Sequence, residues 1–111
     1  MAFSINQKNN DITLVRGDYL AIVISMRKSN TEYIPTEGTL RFAVKRSYRD
    51  PDKDVLINKE IPLDTRLLEL EGSDTKDLKF GTYVYDIEYT DENGHPDTFI
   101  SAKLILTEEV L

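Results

Sequence analysis

The stretch Thr82-Tyr-Val-Tyr-Asp-Ile-Glu-Tyr89 limits what this chain can become more than any other part of it. Its odd positions are Tyr83, Tyr85, Ile87 and Tyr89, while Asp86 and Glu88 hold even ones. A period of two sends successive side chains to opposite faces, so the segment predicts a β-strand with one dry face and one wet face. On a helix the same residues would be scattered around the circumference. The remaining residues lean the same way: Val, Ile and Thr together number 26 against 4 Ala. β-Branched side chains pack well on a pleated surface and lose rotamer freedom in a helix.

All five glycines, at positions 17, 38, 72, 81 and 94, fall between apolar runs and punctuate the chain. Between them the sequence predicts strands over 12–14, 19–26, 39–45, 55–61, 67–71, 82–89 and 98–106. Arg16-Gly17-Asp18 is expected to turn the first into the second, and a polar loop from Lys28 to Glu37 to lead to the third. Asp91-Glu-Asn-Gly94 reads as a hairpin turn in which Asn93 and Gly94 supply positive φ angles. Ser73 to Phe80 is the one helical candidate: a single turn capped by Ser73 or Asp74, ended by Gly81, and bridging two sheets.

Seven short strands, each with one apolar face, predict an all-β chain folded as an immunoglobulin-like sandwich of two antiparallel sheets, one domain over residues 1–111. If the third, sixth and seventh strands share a sheet, Arg41 and Lys45 face outward beside Asp86 and Glu88, with Lys103 beyond them. The rows alternate basic, acidic, basic. The expected core is Leu20, Ile22, Ile24, Leu40, Phe42, Val44, Leu68, Leu70, Tyr83, Tyr85, Ile87, Ile100, Ala102 and Leu104. Tyr83, at the start of its strand, is expected to tether the incoming corner through its hydroxyl.

Composition narrows function further. Fourteen Lys and Arg against twenty Asp and Glu give a net charge of −6, which argues against a general phosphate-binding surface and so against nucleic acid as a partner. Zero Cys and one His leave few parts for thiolate, metal or nucleophilic chemistry, so no catalytic, cofactor or metal site is expected. The N-terminal residues lack a basic start before an apolar core, so no secretory signal is expected. The longest apolar run, Tyr19 to Ile24, is far short of the ~20 residues that span a membrane.

Four motifs admit sharper readings, each beside a plainer one. Arg16-Gly17-Asp18 matches the tripeptide of integrin ligands, but Gly between charged neighbours is what a tight turn requires. Asp50-Pro-Asp-Lys-Asp54 has alternate acids, yet Val55 and Ile61 stand where a calcium loop needs Gly and Glu, so a solvated turn is expected. Asp91, Glu92 and Asp97 near His95 offer ligands for a cation, but an exposed hairpin tip explains them better. Arg41, Lys45, Arg46, Tyr48 and Arg49 concentrate positive charge, whereas residues 86–97 hold five acids and no Lys or Arg. Cross-strand pairing accounts for this; so does complementarity between copies or with a larger partner, with Tyr33, Arg46, Tyr48 and Arg49 as contact residues.

Two stretches, Asp11-Ile-Thr-Leu-Val-Arg-Gly-Asp18 and Leu78-Lys-Phe-Gly-Thr-Tyr-Val-Tyr-Asp-Ile-Glu-Tyr-Thr-Asp-Glu-Asn-Gly94, together with a closing strand ending in Leu106-Thr-Glu, carry a family resemblance. The chain resembles the small immunoglobulin-like domains of phages and prophages of Gram-positive bacteria, and is similar to the N-terminal domain of baseplate upper proteins. The resemblance implies a non-catalytic virion structural protein, made in the host cytoplasm and docking on other virion subunits or on copies of itself. Baseplate upper proteins continue beyond this domain, so with an end at Leu111 a tail, head-tail or capsid accessory role is equally expected. The alternative is a small module binding carbohydrate or a host surface, with the loops around Tyr33 and Tyr48 in contact.

Overall fold

The computed structural model describes residues 3–108. Met1, Ala2 and Glu109 to Leu111, the two ends of the expected domain, lie outside the described residues. The chain is all-β. Among the described residues ten strands form in chain order: β1 (Phe3–Ile5), β2 (Ile12–Val15), β3 (Leu20–Val23), β4 (Arg27–Lys28), β5 (Thr31–Glu32), β6 (Thr39–Lys45), β7 (Ile57–Ile61), β8 (Leu67–Leu70), β9 (Gly81–Thr90) and β10 (Pro96–Thr107). One helical turn, α1 (Gly72–Thr75), stands between β8 and β9, and a 3₁₀ turn covers Asp52–Asp54.

Six strands make one curled, mixed sheet in the order β1-β2-β10-β9-β6-β7. All its neighbours are antiparallel except β2 and β10, which run parallel from Leu104↔Ile12 to Thr107↔Val15. β3 and β8 pair separately, Leu20 opposite Leu70 and Ile22 opposite Leu68, and β4 and β5 form a small hairpin. The expected neighbour relation holds: β9 lies between β6 and β10, with Arg41 opposite Glu88 and Ser101 opposite Asp86.

Alternation decides which side chains meet. From β6 come Leu40, Phe42 and Val44; from β9, Tyr83, Tyr85, Ile87 and Tyr89; from β10, Ala102, Leu104 and Leu106. They pack with Leu20, Ile24, Met26, Leu68 and Leu70 in one buried cluster. Of the expected core, Ile22 and Ile100 are only half-buried and border that cluster. Ile12, Leu14, Ile57 and Ile61 join it, because β2 and β7 each turn alternate residues onto the same face.

Several expectations need correction. The strand predicted over 19–26 ends at Val23, where the chain leaves the pairing with β8 to enter the β4–β5 hairpin inside the predicted loop. Ser29 and Asn30 turn that hairpin at φ of 53° and 64°. At the β9–β10 tip only Gly94, not Asn93, has positive φ, at 81°. The Gly94 N–H donates to the Asp91 carbonyl at 3.0 Å, closing a four-residue turn that ends on a left-handed glycine. α1 bridges the two sheets as expected, but its N-cap is Glu71, two residues before Ser73 and three before Asp74. The Glu71 N–H donates to Asp74 Oδ2 at 2.8 Å, and Asp74 is also paired with Lys59 at 3.0 Å.

The outward charges pair more locally than the alternating rows suggest. Arg41 donates to Asn58 at 2.8 Å and reaches Glu60 at 3.5 Å on β7, on the side away from β9. Lys45 pairs with Asp52 at 2.7 Å across the following loop, and its proximity holds the Asp52 carboxyl below the usual range. Asp86 accepts from the Ser101 hydroxyl, and Lys103 stands opposite Val84.

Candidate functional site

β9 anchors the loops that frame the molecule's clefts. Its inward tyrosines each extend a hydroxyl past the core to a different carbonyl. Tyr83 donates to Lys79 at 2.6 Å, Tyr85 to Asn10 at 2.5 Å and Tyr89 to Glu37 at 2.6 Å. A buried phenol needs such a partner, and here each partner belongs to a connection rather than a strand. The corner before β9, the β1–β2 turn and the entry to β6 are thereby fixed to one strand. Burial, with Asp11 close by, pushes the Tyr85 phenol up to about 12. Burial and then the neighbouring Tyr33 do the same for Tyr89, again to about 12.

The two-stranded β3–β8 sheet covers only part of the inner face of the six-stranded sheet. Beyond the free edge of β3 a cleft of 660 Å³ opens. Ile12, Tyr85, Ile87 and Ile100 line it from the large sheet, and Ile22 to Ser25 from the β3 side. A second groove of 370 Å³ shares Arg27 and Phe99 with it and continues toward the β9–β10 tip, between Tyr33 and Tyr89 and the polar Asp91, Glu92 and His95. Together they form a trough that is apolar at one end and charged at the other. Clefts of this volume are in the range that accepts ligands or peptide segments.

The four expected contact residues divide between two places. Tyr33 lies in the charged half of the trough, half-buried, its ring edge-on to Tyr89 at 6.4 Å and under the Lys28 ammonium at 5.3 Å. Arg46, Tyr48 and Arg49 lie in the β6–β7 connection. There Tyr48, 56% exposed, donates its hydroxyl to the Ala102 carbonyl at 3.3 Å. It shares a small hollow with Ala43, Lys45, Val84 and Asp86, whose side chains leave the sheet on its outer face. Tyr33 packs on an inward tyrosine and Tyr48 on the outer face, so the fold does not bring them into one patch. Arg46 and Arg49 are both exposed.

The remaining motifs are occupied by structure. The Arg16 guanidinium lies 4.0 Å from the centre of the Phe80 ring and donates to the Leu78 carbonyl at 3.1 Å. The Gly17 N–H donates to the hydroxyl of the fully buried Thr75 at 2.9 Å. The Arg-Gly-Asp tripeptide is thus sewn to α1 and the β9 corner instead of projecting as an adhesive tip would. Asp91 Oδ1 accepts the N–H groups of Asn93 and His95, both at 2.9 Å, which lowers that carboxyl from its usual value and commits it to the turn. Its other oxygen lies 3.6 Å from His95 Nδ1. Among the described residues, no three His, Asp or Glu side chains gather closely enough to hold a metal ion.

Sequence reasoning missed the trough. Its apolar half is assembled from β2, β3, β9 and β10, strands distant in sequence. The available signal was the uncharged run Tyr19 to Ser25, too apolar for a strand with water on one side. Compared with known proteins, the chain matches no family model and no curated protein.

Proposed function

We propose that this chain is a non-catalytic structural protein of a phage or prophage particle, a tail, baseplate or head-tail accessory subunit. In this reading it is an immunoglobulin-like two-sheet sandwich, with β3–β8 as the core of the second layer. The Tyr83 hydroxyl bound to the carbonyl four residues earlier supports that reading, being the corner tether common in such sandwiches. The chain is made in the host cytoplasm and acts by contact with neighbouring virion subunits or with copies of itself.

The observation that carries this reading is the 660 Å³ cleft beside an unpaired strand edge. Its lining is dominated by aliphatic and aromatic side chains, a chemistry suited to packing against another protein surface. The exposed Arg46, Tyr48 and Arg49 on the outer face give a second contact surface, so one subunit can touch two neighbours. The direct test is to purify particles by density gradient after inducing the strain that carries the gene, and to identify their proteins by mass spectrometry. The chain is expected at fixed stoichiometry in the particle band; recovery only from the soluble fraction overturns the assignment.

The groove beside Tyr33 favours the second reading, a carbohydrate- or host-surface-binding module. It combines the Tyr33 ring with Asp91, Glu92 and His95. A glycan array on which binding is lost in Tyr33→Ala but kept in Tyr48→Ala would select it.

A further inference from the structure

We infer that two copies of this chain associate by pairing β3 against β3, antiparallel about a two-fold axis. The inference rests on reading the cleft side as a contact surface and not on the phage assignment.

Natural sheets guard their edges with charge, Pro, bulges or brevity, because an unpaired row of N–H and C=O groups invites another strand. The edges of the large sheet follow that rule. β7 carries Asn58, Lys59 and Glu60, and β1 has three residues. The first half of β10, unpaired opposite β9, opens with Pro96 and Asp97 and is shifted in register between Thr98 and Ile100. β3 differs. From Tyr19 to Ser25 the chain has no charged residue, no Pro and no Gly. Val23 is 61% exposed and Tyr19 49% exposed, the former the most exposed large apolar residue among those described.

The edge is also presented correctly. The Ile24 N–H donates to the Arg66 carbonyl at 2.8 Å, so even-numbered main-chain groups point at β8. Those of Ala21 and Val23 therefore point away from it, toward the open side. About a two-fold axis at Val23, antiparallel pairing sets Val23 against Val23 and Ala21 against Ser25 of the second copy. It also sets Asp18 against Lys28 and Tyr19 against Arg27. The strand is flanked by an acid at one end and by two exposed cations at the other, so the antiparallel arrangement brings unlike charges together, twice by symmetry. The product is a continuous four-stranded sheet, β8-β3-β3-β8, in which Val23, the most exposed large apolar residue among those described, is covered by its own copy.

The test is sedimentation velocity of the full chain over a series of concentrations into the high micromolar range. The wild type is expected to show a reversible monomer–dimer equilibrium. Val23→Lys should be monomeric throughout with an unchanged circular dichroism spectrum, whereas Val23→Thr should keep the dimer. Asp18→Lys should weaken association by about tenfold, and the charge swap Asp18→Lys with Lys28→Asp should restore it. A wild type that stays monomeric at the highest concentration, or a dimer indifferent to Val23→Lys, overturns the inference. So does a dimer that the charge swap fails to rescue. An edge that instead pairs only with a different subunit would leave the isolated chain monomeric, yet would still place it in purified particles, so the two readings fail separately.

Discussion

Tyr83, Tyr85 and Tyr89 each do two jobs: the ring fills the core and the hydroxyl holds a loop. Removing one hydroxyl leaves a carbonyl without its partner, a loss of about 1–3 kcal/mol when the group is buried. Tyr85→Phe should therefore lower the urea midpoint at neutral pH while keeping the fold. The same residue governs alkaline behaviour. A phenol raised from 10.0 to about 12 in the folded state favours folding fully below pH 10. That contribution is lost as pH rises through about 12, because the unfolded chain releases its proton first. Urea titrations at successive pH values should show stability falling across this window. Tyr85→Phe should flatten the fall, with Tyr89 contributing to what remains. Phe42, fully buried and 5.3 Å from the Tyr85 ring, has no polar duty, and Phe42→Ala should cost ~3–5 kcal/mol through the cavity alone. Gly38 is constrained differently. At φ +101° its missing Cβ would lie 2.3 Å from the Thr90 carbonyl, so Gly38→Ala should cost about 2–3 kcal/mol in thermal or urea unfolding.

Among the elements, α1 shows how a four-residue helix can matter. Its Thr75 hydroxyl accepts the Gly17 N–H, and a Cβ on Gly72 would lie 2.4 Å from the Gly17 carbonyl. The turn between β2 and β3 is thus fitted to the turn between β8 and β9. Thr75→Val keeps the volume and removes the acceptor; urea unfolding should show it less stable by about 1–3 kcal/mol. A mutant as stable as wild type would mean that water reaches the Gly17 N–H. This coupling was not legible in the tripeptide 16–18, because its partner lies 58 residues away. β6, β9 and β10 were legible, since alternation over seven residues or more declares both the strand and its dry face. β1, β4 and β5 were not: two or three residues carry no period, and only the hydrogen-bond partners across the turn make them strands.

At the scale of the molecule, the trough and the free edge beside it concentrate whatever this chain does with other proteins. The contact residues expected from sequence were chosen by composition, as basic and aromatic neighbours. The fold sends Tyr33 to the trough and Tyr48 to the opposite face of the large sheet. If the outer-face patch is a contact site, Arg46→Glu with Arg49→Glu should abolish incorporation into particles without changing the melting temperature, because neither side chain is buried. Particles carrying the double mutant at wild-type level would show the patch to be solvated surface.

Side-chain alternation along the chain determined by itself that this protein is built of strands. It also determined which face of the longest ones is dry, because that depends on residues close in sequence. Tertiary structure decided the rest: that β6, β9 and β10 lie side by side, which connections the tyrosine hydroxyls hold, where the Arg-Gly-Asp turn is fastened, and how much of the large sheet β3 and β8 leave uncovered. Each of these depends on distances between segments far apart along the chain, and no local period encodes them.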